Sequence, residues 1–221
     1  MLPFTRFLIT IVMAVGLGLA ATSEARADAV VFSNFGPGTT FNTSTAWNVS
    51  GTNIFSGRVV AQSFTPSDNF TFSSAQLAMG IVGGPNILQV VLMTSSGGFP
   101  GAIVETITLT DAVAPIGTGG IVLANSALQP LLSAGTQYWI VAFAPEDDTF
   151  MGWNLSLNDF SAPVLLNGSH SLTGPWEFSA PRGAFQVNGT PVPEPATMLL
   201  LGASLTVIAL RKCKRKSGNR R

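Results

Sequence analysis

Residues 28–190 predict an all-β fold, a jelly-roll-like β-sandwich, and three observations carry that expectation. The apolar runs are short, they lie between clusters of Gly, Pro, Asn and Ser, and none sustains a 3.6-residue period. The sandwich is expected as one ectodomain. It is flanked by a signal peptide at 1–27 and by a tail at 191–221 that holds a short apolar helix.

The chain opens MLPFTRFLITIVMAVGLGLAATSEARA. Arg6 puts one cation ahead of an apolar run from Phe7 to Ala21, and Ala25 and Ala27 place small residues where a signal peptidase reads them. Cleavage is expected before Asp28.

Within the body, RVVAQSFT (Arg58 to Thr65) reads as a strand. In FTFSSAQLAMGI, Phe70 and Phe72 share one phase while Ala75, Leu77 and Met79 share the other. A side-chain period of two cannot slip without an extra residue, so Ser73-Ser74 predicts a β-bulge or a kink between two strands. NILQVVLMT (Asn86 to Thr94) is nearly continuous in apolar residues, as a central strand requires.

The next stretch is SSGGFPGAIVETITLT. Gly97-Gly98 and Pro100-Gly101 predict tight turns. Ile103, Ile107 and Leu109 then take one phase, and Val104, Thr106, Thr108 and Thr110 the other. Glu105 falls on the apolar phase, which places it at an edge, at a bulge, or in the interior with a partner. In LLSAGTQYWIVAFAP, Ser133 to Thr136 reads as a turn. Trp139, Val141 and Phe143 follow on one face, with Tyr138, Ile140 and Ala142 on the other. Both faces are apolar, so this strand is expected to be central or covered on both sides.

The formal net charge of zero hides an uneven distribution. Between Asp28 and Thr190 nine carboxylates face two arginines, Arg58 and Arg182, a net charge of −7 with no lysine. Such a surface repels nucleic acid and anionic lipid. The single cysteine, Cys213, lies in the tail, so the body has no disulfide and depends on core packing.

The chemistry-bearing residues are few. One histidine, His170, and no cysteine in the body make a zinc site an unfavourable reading; there is no G-x-S-x-G elbow and no phosphate loop, and no cofactor is expected. His170 lies in NGSHSLTGPW and reads as a solvated loop residue. Glycoside hydrolysis needs two facing carboxylates; Glu105 and Glu177, each amid apolar residues, are the candidates. Glu146, Asp147 and Asp148 in APEDDTF offer hard oxygens to calcium, although the full D-x-D-x-D-G loop is absent. Trp47, Trp153 and Trp176 sit near predicted loops, where indole rings can stack on sugars.

The tail reads Val192-Pro193-Glu194-Pro195, then an uncharged run from Ala196 to Leu210, then cations at Arg211, Lys212, Lys214, Arg215, Lys216, Arg220 and Arg221. As a helix the apolar run would rise about 22 Å, short of a ~30 Å hydrocarbon core. Thinning of the bilayer and snorkelling of flanking residues would let it insert, with the cations left on the cytoplasmic side. This order of parts resembles the PEP-CTERM sorting signal of Gram-negative bacteria, which is similar in layout to Gram-positive cell-wall sorting signals. The resemblance covers about the last thirty residues. It implies export after signal peptidase cleavage, transient residence of 196–210 in the inner membrane, and processing near Pro193-Glu194-Pro195 by an exosortase. It also implies association with exopolysaccharide, in a biofilm or floc matrix. Arg211 and Lys212 would close the signal.

The GGFPG and LSAGTQYWIVAF stretches resemble the choice-of-anchor domains found on proteins with alternative C-terminal anchors, which again implies a jelly-roll-like sandwich. Two function classes follow. The first is a non-catalytic protein of the cell surface or extracellular matrix that binds polysaccharide weakly through loop tryptophans. The second is an extracellular glycan hydrolase with paired carboxylates.

Overall fold

The structure is a computed structural model that describes residues 27–158 and 164–193. Its strands are β1 (Ala29–Ser33), β2 (Asn42–Ser50), β3 (Val59–Phe64), β4 (Phe70–Leu77), β5 (Met79–Gly83), β6 (Ile87–Ser96) and β7 (Phe99–Thr110). They continue with β8 (Val122–Asn125), β9 (Leu131–Leu132), β10 (Tyr138–Phe143), β11 (Phe150–Leu155), β12 (Val164–Asn167), β13 (Glu177–Ser179) and β14 (Phe185–Pro191).

The strands pair antiparallel in three sheets. The first runs β1-β14-β4-β8, with β9 also on β4; the second runs β13-β12-β3-β10-β6-β7; the third is β2-β11-β5. The fold is an all-β sandwich. It is jelly-roll-like in that strands far apart in sequence lie side by side, β1 against β14 and β3 against both β10 and β12.

The main core lies between the sheets. Phe72, Leu77, Phe185 and Val187 come from the first, Val60, Leu92 and Ile140 from the second, and Met79, Met151 and Trp153 from the third. Burying each such large side chain contributes about 1.5–3 kcal/mol, and with no disulfide in the body this core is what holds the sandwich.

The bulge anticipated at Ser73-Ser74 is present. Asn188 faces Ser74 while Gly189 faces Phe72, so Ser73 is the extra residue between β4 and β14. The chain then leaves the first sheet at Ala78. Its N–H bonds to Ala184 and its carbonyl accepts from Asn154 before β5 enters the third sheet.

β10 lies between β3 and β6, as its two apolar faces require. Tyr138, Ile140 and Ala142 face the main core. Trp139 and Val141 face outward into a second cluster with Val59, Ala61, Val91, Met93 and Leu165. Leu172 and Trp176, from the segment between β12 and β13, cover that outer face together with Phe99 and Phe143.

β6 and β7 form a hairpin in which Ser96 faces Phe99, so Gly97 and Gly98 alone make the turn. Both take positive φ, 60° and 84°, as a two-residue turn compatible with strand twist demands. Pro100 and Gly101 belong to β7 and not to a second turn, which corrects that part of the expectation. The phase of β7 also shifts. Leu92 faces Glu105 and Met93 faces Ile103, so Val104 is an extra residue. The bulge turns Val104 toward the core and leaves Ile103 exposed.

Candidate functional site

The tryptophans anticipated as loop residues divide. Trp153 lies in β11, is 0% exposed, and its indole N–H donates to the Ala184 carbonyl at 3.0 Å. It is a core residue, and its assignment to a sugar-stacking loop is corrected. Short strands interrupted by Gly152 and Asn154 read as loop in the sequence. Trp47 lies in β2 directly opposite Trp153 and is also no loop residue. It is half-buried and donates to the Pro181 carbonyl at 2.7 Å. Trp176 precedes β13, is half-buried against the second cluster, and its indole N–H has no partner among the described residues.

The two candidate carboxylates do not form a matched pair of open side chains. Glu105 is 4% exposed. It accepts from the Ser126 hydroxyl at 2.6 Å and from the backbone N–H groups of Ala127 and Leu128 at 2.7 and 3.0 Å. All three placements left open for it hold together: β7 is the edge strand of its sheet, the bulge at Val104 re-aims the side chain, and the buried carboxylate has partners. Glu177 stands exposed in β13.

Glu146, Asp147 and Asp148 are exposed between β10 and β11. Asp147 accepts from the Thr52 hydroxyl, and Asp148 accepts from the Asn53 amide at 2.7 Å. The backbones of these loops are joined as well, with Asn53 N–H on the Asp147 carbonyl at 3.0 Å and Gly51 N–H on Thr149 at 2.9 Å. Among the described residues no group of three or more His, Cys, Asp or Glu side chains is arranged to hold a metal ion.

His170 is not the solvated residue expected. It is half-buried, stacks on Phe143 at 4.6 Å between centroids, and places Nε2 2.7 Å from the Ala144 carbonyl. The segment after β12 folds back over the sheet, and sequence composition cannot show that return.

Three residues were passed over in the sequence. Arg182 is buried, donates from Nη2 to the carbonyl and hydroxyl of Ser63, and lies 5.6 Å from the centre of the Phe32 ring. Gln62 buries both amide atoms without a partner among the described residues. It shares a phase with Val60 and Phe64, which face the main core, but both phases of β3 are buried, so alternation does not mark it out. Phe55 is 62% exposed at φ 49° and rests edge-on against Phe150.

The two chain exits meet. β1 runs beside β14 with Ala29 opposite Gly189, and the Thr190 hydroxyl donates to Asp28 Oδ1 at 3.0 Å. Pro191 faces Phe70, and the Val192 N–H bonds to the Asn69 carbonyl at 2.9 Å. The folded body therefore reaches to Val192, one residue before the Pro193-Glu194-Pro195 triplet.

Residues 191–216 match the PEP-CTERM protein-sorting motif. The match begins on the last residue of β14, so the PEP-CTERM motif follows the sandwich without a linker. The motif implies export, sorting toward the cell surface, and processing by an exosortase. No curated protein matches the chain. Among the described residues no helix is long and apolar enough to cross a membrane. Glu194, Pro195, the apolar span 196–210, Arg211 and Lys212 lie outside the described residues, as do residues 1–26, where a signal peptide is expected.

Proposed function

We propose that the chain is a non-catalytic protein of the cell surface or extracellular matrix of a Gram-negative bacterium, sorted by an exosortase and able to bind exopolysaccharide weakly. The observation that carries it is the PEP-CTERM motif at 191–216, set directly against a β-sandwich. The non-catalytic part is supported by Glu105, whose carboxylate is taken up by three donors, and by Glu177, which stands exposed in β13. The polysaccharide part is supported by aromatic rings that remain at the surface. These are Trp176, half-buried, together with Phe55 and Phe178, the latter 63% exposed. A shallow site of one or two rings gains little after ordering losses, so the affinity is low.

The sorting part is tested by Glu194→Ala and by deletion of 211–221 in an exosortase-bearing host. The parent chain is expected to lose mass and reach the surface, and both variants to keep full mass at the inner membrane. Unchanged mass and location would sink the reading. The polysaccharide part is tested by electrophoresis in gels cast with the host's exopolysaccharide, where Trp176→Ala and Phe55→Ala should each reduce retardation. A parent chain that migrates freely removes the ligand and leaves a structural coat protein.

A further inference from the structure

We propose that, before processing, the end of the sandwich where β1 begins and β14 finishes rests on the bilayer, while loops 51–57 and 145–149 face away from it. The inference rests on the reading above, with 196–210 in the inner membrane. It adds which end of the folded body the tether holds nearest the lipid.

The tether length decides the matter. Val192 is fixed to Asn69, and the apolar span starts at Ala196. Four residues, fully extended, reach at most about 14 Å. The headgroup layer on one side of a bilayer takes up about 5–7 Å of that. The slack left is smaller than the sandwich itself, so the end that carries Val192 cannot turn away from the lipid.

The N-terminal exit points the same way. Asp28 is hydrogen-bonded to Thr190, and β1 follows it at once. A signal segment immediately upstream of Asp28 would leave beside the tail, and two neighbouring strands would lead into one membrane. Loops 65–69 and 133–136 surround these exits. Ala134 N–H bonds to Asn69 Oδ1 at 3.0 Å and Gly135 N–H to the Pro66 carbonyl at 2.9 Å.

The opposite end is identified by strand direction. β3 runs from Val59 to Phe64 toward the exits, and β10 runs back, with Tyr138 opposite Phe64 and Ala142 opposite Val60. Loops 51–57 and 145–149 therefore lie a six-residue strand away, about 20 Å. The exposed Phe55 stands on this distal end.

Charge gives the contact its character. Asp28 and Asp68 are exposed at the exit end of a body carrying −7, so anionic headgroups repel it. The tether holds the body there, not affinity, and cutting the tail releases it.

The test uses the full chain with Cys213→Ser, made in a host without exosortase and reconstituted in phosphatidylethanolamine–phosphatidylglycerol vesicles that carry a headgroup spin label. Single cysteines are introduced as Asp68→Cys at the exit end or Thr110→Cys at the distal end, each labelled with a fluorophore. Ser67→Cys and Thr108→Cys form a second pair, so that misfolding of one variant does not decide the result. Quenching several-fold stronger at the exit end is expected. It should persist in about 1 M salt, where screening is about 3 Å, and vanish when co-expressed exosortase removes the tail. Equal quenching at both ends of chains that sediment with vesicles overturns the orientation alone. Quenching abolished by salt overturns the tether account. Chains that fail to sediment with membranes overturn both this proposal and the membrane passage it rests on.

Discussion

Ser126, the first residue after β8, donates a hydrogen bond from its hydroxyl to the Glu105 carboxylate of β7 at 2.6 Å. The same carboxylate takes the N–H groups of Ala127 and Leu128, so a charge on an apolar phase organises the loop that follows β8. Glu105→Gln keeps the volume but removes the charge that strengthens all three bonds, and the Ser126 hydroxyl must turn to accept from the new amide. A loss of about 1–3 kcal/mol is expected, read as a lower denaturant midpoint at unchanged slope. An unchanged midpoint would show that the loop holds itself.

Trp153 and Trp47 face one another across β11 and β2, yet their substitutions should differ. Trp153→Ala empties a fully buried site and should lower stability by about 3–5 kcal/mol. Trp47→Phe keeps a ring and loses the bond to Pro181, about 0.5–1.5 kcal/mol. Thermal unfolding of both variants separates the two, and equal losses would refute the core assignment of Trp153.

Gly183 marks a close approach. A Cβ there would lie 2.6 Å from Trp153 Cδ1 and closer still to Gln62 Nε2. Both neighbours are buried and cannot give way freely, so Gly183→Ala should cost about 1–3 kcal/mol by overpacking. Gly168→Ala is the control, since a Cβ at Gly168 meets nothing within 4 Å. Equal midpoints for the two variants would contradict the packing described.

Calcium should leave the melting temperature of the body unchanged, and a chelator should leave it folded. Asp147 and Asp148 already engage Thr52 and Asn53, and the two loops are joined through their backbones. A calcium-dependent rise in melting temperature would restore Glu146, Asp147 and Asp148 as ligands.

The sequence by itself determined the all-β class, the break in phase at Ser73-Ser74, the two covered faces of Tyr138–Phe143 and the sorting motif of the tail. Each is a local property. A strand alternates its side chains every two residues, so a slip in phase or a doubly apolar run is legible within ten residues. The tertiary structure decided the rest, because burial depends on which distant strands come to lie together. Trp153 is sealed by Ala184, His170 is held by Ala144, Glu105 is capped by a loop after β8, and Asp28 meets Thr190. No local period encodes these meetings. They arise when the sheets close on a shared core and the first strand is laid beside the last.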